Sequence, residues 1–309
     1  MMYKRFFTII CFVASVLFSL RAQELDSLKV LEKKPLEKNS STFSWSANAL
    51  VTSNYIWRGL YVGGPSVQLD ATVSYAGVFA NVWWNIGATD WTFNALNPEV
   101  DVTIGFSRWG FSVYYLHMYY FDCYANGEMS RYFDFNNHAK GGTTGEWRVA
   151  YTRPVYTNKR GWTTSVNGLC AFRTFGRDGY YDDATGELKR AYSTYIEVGV
   201  DQTFGQGWSL AARLGITPAK SIYTGYQGDF AVTLVGLKLN KNWELGAVSG
   251  RGVKGERLEA RGEKKAGRLN AFAHVMLQPW QVNVDNVILP IKQASGQKLN
   301  ISVGLAWSI

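Results

Sequence analysis

The chain has 309 residues, 47% of them hydrophobic and 15% aromatic, with 31 glycines, 7 prolines and a formal net charge of +8. The charge is dispersed and falls to +5 without Lys4, Arg5 and Arg21, which excludes the concentrated basic footprint of a nucleic-acid binder. Three cysteines, Cys11, Cys123 and Cys170, are too few for a disulfide scaffold, and past residue 22 no stretch is long and apolar enough for a spanning helix.

Residues 1–22 read as an export signal. Lys4 and Arg5 precede an apolar run from Phe6 to Leu20, and Ala22 offers a cleavage point before Gln23. The run is shorter than the ~20 residues of a membrane span. Residues 23–42 mix Glu24, Asp26, Glu32 and Glu37 with Lys29, Lys33, Lys34 and Lys38, the composition of a poorly ordered periplasmic tail. Residues 43–309 form the remaining domain.

That domain repeats one pattern, an alternating stretch about as long as the 9–11 residues of a membrane strand, followed by a turn. The stretches are 43–57, 66–75, 77–87, 98–108, 110–122, 144–153, 161–174, 190–205, 207–217, 228–239, 241–249, 268–278, 280–290 and 299–309. The expectation is an all-β fold, a single transmembrane antiparallel up-and-down β-barrel of about 14 strands. The alternative is about 12, with 250–298 as one long loop, a length that argues against itself. Short turns, as at Ala76-Gly77, Trp109-Gly110 and Asn240 to Asn242, alternate with longer loops, including 58–65, 123–143, 175–189, 218–227 and 250–267. This places both termini on the short-turn, periplasmic side of a bacterial outer membrane.

The last stretch alternates Leu299, Ile301, Val303, Leu305, Trp307 and Ile309 with small or polar residues to the final position. It resembles the terminal signal strand of outer-membrane barrels and is expected to pair with 43–57 and close the sheet.

Trp162, Trp208, Trp243 and Trp280 follow short turns, and Trp45 opens the first strand in the same way. With Trp57 and Trp307 they are expected at the membrane–water interface, where an indole is half apolar and half wet. Trp45 and Trp57 share a parity and lie about 30 Å apart along a tilted strand, the spacing of two aromatic girdles. Parity points Val67, Leu69, Val73 and Tyr75 outward and Ser66, Gln68, Asp70 and Thr72 inward. In 110–122 and 228–239 both faces carry large apolar residues, which calls for another surface inside, such as an inward-folded loop, or for hydrophobic cargo. Cys170 points outward two strands from Cys123, so no disulfide joins them.

The segment Thr52-Ser53-Asn54-Tyr55-Ile56-Trp57-Arg58-Gly59 resembles the S-x-Y-x-x-R-G opening of TorF-type putative porins of Gram-negative bacteria. The resemblance covers this segment, the polar loop after it and the alternating strand that follows. It implies an outer-membrane barrel with pore function.

No G-x-S-x-G, H-E-x-x-H, C-x-x-C or Walker loop occurs, so no enzyme activity and no cofactor is expected. The acidic loop Asp178 to Glu187 would hold Ca²⁺ through oxygen ligands or be a plain solvated loop. The basic stretch Arg251 to Arg268 would meet lipopolysaccharide phosphates if extracellular, or be a soluble charged loop. Function is expected in the lumen, where parity places Arg58, Asp70, Glu99, Asp101, Arg148, Arg173, Glu197, Asp201, Arg213 and Glu244. Opposed charges on a pore wall filter small polar solutes; the alternatives are charges that only pair across a closed core, in a barrel that acts through its loops. The expected partners are outer-membrane lipid and lipopolysaccharide, the barrel-assembly machinery and those solutes.

Overall fold

The structure, a computed structural model, describes residues 43–92, 95–121, 124–125, 128–129, 131–228, 230–247, 266–279 and 299–308. The expected signal and tail, the stretch 280–290 with Trp280, residues 251–265 of the basic stretch, Cys123 and Ile309 lie outside them. No helix among the described residues is long and apolar enough to cross a membrane.

Twelve antiparallel strands close into a barrel: β1 Ser44–Thr52, β2 Ser66–Tyr75, β3 Val78–Gly87, β4 Glu99–Arg108, β5 Phe111–Tyr120, β6 Thr143–Thr157, β7 Thr163–Gly176, β8 Thr194–Thr203, β9 Trp208–Thr217, β10 Ala231–Ala247, β11 Ala266–Leu277 and β12 Leu299–Ser308. Each pairs with its neighbours in sequence. The seam closes where β12 meets β1, with Trp307 opposite Ala49 and Leu305 opposite Val51.

Twelve is the smaller of the two expected counts, and the main reason lies in β10. The polar triplet Asn240-Lys241-Asn242 reads as a turn but runs straight through one long strand. Lys241 pairs with Trp208 on one side and Ala271 on the other. The alternation never breaks: Val235, Leu237, Leu239, Trp243 and Leu245 stay exposed outside, while Lys238 and Asn240 are buried inside. Lys241 is tolerated on the outer face because its Nζ sits 5.2 Å from the Trp208 ring centre and 5.7 Å from that of Trp243, and donates to the Gln206 carbonyl. The aliphatic stem lies along apolar surface while the ammonium reaches the polar edge.

Removing that turn also moves the basic stretch. Ala247 pairs with Ala266 below the level at which Trp208 meets Lys241, so the chain leaves and returns on the short-turn rim, not on the long-loop rim expected for 250–267.

The outer face is apolar around the whole barrel. Val67, Leu69, Val73, Ile104, Val113, Val198, Leu237, Ile301 and Val303 are all exposed. A continuous apolar band of this kind matches a hydrocarbon surround rather than water. Trp45, Trp208, Trp243 and Trp307 stand exposed at the short-turn rim, with Trp243 and Trp307 both in register with Leu269. Trp162 lies at the same rim, half-buried, 5.5 Å from the Phe204 ring.

The packed core sits inside the barrel. Leu60, Phe79, Tyr114, Ala150, Leu169, Ala171, Tyr195, Ile222 and Tyr223 form one buried cluster against Trp57 and Tyr226. Two loops at the long-loop mouth supply its centre: residues 53–65 and residues 220–226 fold into the lumen.

Candidate functional site

The first strand leaves the wall earlier than its alternation indicates. At Thr52 the chain turns inward, and Ser53 and Asn54 tie it to the last strand: Ser53 N–H donates to Val303 O at 2.8 Å and Asn54 Nδ2 to Ile301 O at 2.6 Å. Tyr55–Trp57 and Leu60–Gly63 then form a hairpin across a two-residue turn, Arg58-Gly59, with φ of 52° and 84°. Two successive positive φ values match the right-handed twist of the flanking strands, and glycine at the second position adopts one without strain. Gly59 also meets the wall so closely that a Cβ would lie 2.3 Å from Thr233 O.

Trp57 is therefore not an interface residue. It lies inside, against Leu116, Met118 and Tyr120 of β5 and 5.7 Å from the Tyr223 ring. This explains the apolar inner face of β5: it meets an inward-folded loop, not hydrophobic cargo.

Arg58 anchors the hairpin. Its guanidinium donates to both oxygens of Glu146 at 2.7 Å, and Nη1 also donates to the Tyr223 hydroxyl. Its Cζ lies 4.5 Å from the ring centres of both Trp57 and Tyr195. Bidentate guanidinium–carboxylate contact is the strongest of the side-chain pairings, and the aromatic rings complete the enclosure. Glu146, fully buried on β6, also accepts from Arg148 Nε at 2.5 Å. The sequence reading missed it, although Glu146 shares the parity of Arg148 and could have been found that way. Tyr223 carries no such signal, because it comes from a loop.

The other expected lumen residues fall into separate groups. Arg173 is buried with its Cζ 5.5 Å from the Trp57 ring and donates to Arg177 O at 3.3 Å. Glu99 and Asp101 sit side by side on the inner face of β4, with Tyr55, Tyr120 and Arg173 near Glu99. Nearer the short-turn rim, Arg213 meets Asp201 at 3.1 Å and Glu197 at 3.4 Å, and Tyr195 donates to Glu197 at 2.6 Å. Asp70 accepts from Asn48 at 2.7 Å. Glu244 departs from expectation: it pairs with Arg268 at 2.7 Å, but its side chain is 63% exposed at the rim, because β10 overshoots the barrel wall.

The acidic loop does not converge on an ion. Asp178 faces inward and accepts from Ser193 N–H at 2.8 Å and Ser193 Oγ at 2.5 Å; burial pushes its carboxyl up, against the pull of Arg173. Asp182 faces outward, where the Lys189 ammonium at 2.8 Å helps hold its carboxyl down to about 2. Among the described residues no three His, Cys, Asp or Glu gather as metal ligands.

Beneath the hairpin lies a cavity of about 190 Å³ that reaches around the lumen. Its wall includes Asp101, Arg148, Glu197, Lys238 and His274, and its roof Tyr55, Trp57 and Arg58. Asp101 on β4 and Lys238 on β10 stand six strands apart in the twelve-strand order, on opposite walls. The arrangement sets acidic and basic groups across a small space roofed by a latched hairpin.

No protein-family model matches the chain, nor does any curated protein. Among solved structures, the chain is similar to an outer membrane channel from Pseudomonas putida F1, at 10% identity and a TM-score of 0.36, over 90% of this chain and 99% of that one.

Proposed function

We propose that the chain is an exported outer-membrane barrel that passes small polar solutes by passive diffusion, selecting them by lumen charge and by the constriction that residues 53–65 and 220–226 form. One observation carries this reading: the polar cavity walled by Asp101, Arg148, Glu197 and Lys238 inside a closed barrel with an apolar exterior. Charged groups on a narrow passage set which solutes enter and leave. The protein would work without catalysis or cofactor. Lipid and lipopolysaccharide would surround it, and the barrel-assembly machinery would insert it with both termini in the periplasm.

The TorF-type resemblance fits here. Tyr55, Arg58 and Gly59 of the shared segment build the hairpin and its latch, which gives the motif a physical purpose in a constricted porin.

The test is ion current in planar bilayers from the refolded barrel, with and without residues 55–63. Current from the intact protein that rises on deletion supports the channel. No current from either form overturns it. The filled mouth favours a second reading, a non-conducting barrel that acts through its loops, among them the exposed Phe133 and Phe135. That reading gains if the loop deletion stays silent.

A further inference from the structure

We infer that the cavity under the hairpin is a binding site for a small zwitterion of the α-amino-acid type, with its ammonium toward Asp101 and its carboxylate toward Arg148. This rests on the channel reading and deepens it by naming the solute class.

The acidic pole is built from Glu99 and Asp101, two residues apart on one face of β4. Asp101 Oδ1 is buried without a hydrogen-bond partner, while the Tyr55 and Tyr120 phenols serve its neighbour Glu99. Asp101 lines the cavity. A carboxyl with an unfilled acceptor in the cavity wall, backed by a second acid, calls for a donor of positive charge, since buried acceptors without partners are costly.

The basic pole is Arg148, also in the cavity wall. Its Nε is bound to Glu146, while its Nη2 is buried without a carboxylate partner, with the Tyr114 ring near the guanidinium at 5.8 Å. Glu146 is shared between Arg58 and Arg148, so one positive charge stays in excess at this end. Among the described residues no ion pair joins Asp101 to Arg148, although each feels the other's field. Two unfilled groups of opposite sign therefore face one space, and a ligand bearing both charges satisfies them together.

Size narrows the class. An apolar cavity of about 150 Å³ accepts benzene, and a space of about 190 Å³ suits a molecule somewhat larger. Leu116 and Leu169 in its wall offer an apolar surface for the ligand's aliphatic carbons.

The probe is L-glutamine, compared with its carboxamide (a cation), its N-acetyl form (an anion) and neutral xylose, by ligand-observed NMR titration of the detergent-folded barrel. L-glutamine should bind at least tenfold more tightly than each of the other three. Asp101→Asn should weaken L-glutamine at least tenfold and turn the preference toward the N-acetyl anion. Arg148→Gln should weaken it similarly and turn the preference toward the carboxamide. These opposed shifts are not produced by general loosening, and heat-modifiable gel mobility checks that each variant folds. If a variant does not fold, the wild-type ranking decides alone. Equal binding of the four, or better binding by either single-charge form, overturns the site. Liposome swelling separates the two readings: xylose uptake without L-glutamine binding sinks the site and leaves the channel, whereas binding without any uptake leaves the site and sinks the channel.

Discussion

Arg58 and Glu146 meet through two hydrogen bonds of 2.7 Å inside a barrel whose wall supplies one and whose inward hairpin supplies the other. They are 88 positions apart in sequence, and their contact ties the hairpin to the wall.

The two partners are not equivalent. Arg58→Ala leaves Glu146 still paired with Arg148 at 2.5 Å, whereas Glu146→Gln removes the carboxylate that directly pairs two buried guanidiniums. Breaking a buried pair from one side costs about 3–5 kcal/mol. Glu146→Gln should reach that range and Arg58→Ala should fall below it, read as the temperature at which the barrel loses its compact gel mobility. Both should raise single-channel conductance, because both release the roof.

Gly59→Val should resemble Arg58→Ala in conductance while leaving the charges intact. Its φ of 84° disfavours a branched side chain, and a Cβ there would meet Thr233 O at 2.3 Å. Strain of this kind costs about 1–3 kcal/mol. Unchanged conductance together with unchanged thermal mobility would remove the hairpin from the gating account.

Deleting Trp307 to Ile309 should block assembly. Trp307 pairs with Ala49 and Leu269 at once, and Ser308 with Asn48 and Arg268. Unpaired backbone groups in hydrocarbon cost several kcal/mol each. Normal heat-modifiable barrel from the truncated chain would refute a role for these residues in closing the seam.

Cys170 gives a test of facing. It is exposed on the outer side of β7, opposite Val149 and Ile196. In a Cys123→Ser background, a lipid-soluble maleimide should label it in intact membranes and a charged maleimide should not until the protein is denatured. Ready labelling by the charged reagent would place this face in water.

Much of the wall is legible in the sequence. Ser66–Tyr75 alternates cleanly, because each side chain there meets either the outside or the lumen and nothing else. Alternation also foretells that another surface fills the apolar inner face of β5. It fails at Trp57, since period two continues whether the chain stays in the wall or turns inward, and the departure at Thr52 depends on hydrogen bonds to β12, nearly the whole chain away. It fails again at Asn240 to Asn242, where polar residues mark a rim position beside Trp208 rather than a turn. Glu146 is readable by parity; its pairing with Arg58 is not, because that contact is made by a loop.

The hairpin's footing has a consequence for the order of assembly. Ser53, Asn54 and Gly59 all bond to the last strand, through Val303, Ile301 and Asn300. Those partners are the final part of the barrel to be synthesised, and they come within reach only when the first and last strands meet. On an open sheet the roof therefore lacks this part of its footing. Closing the seam and completing the roof are thus linked, because the same last strand supplies both sets of bonds.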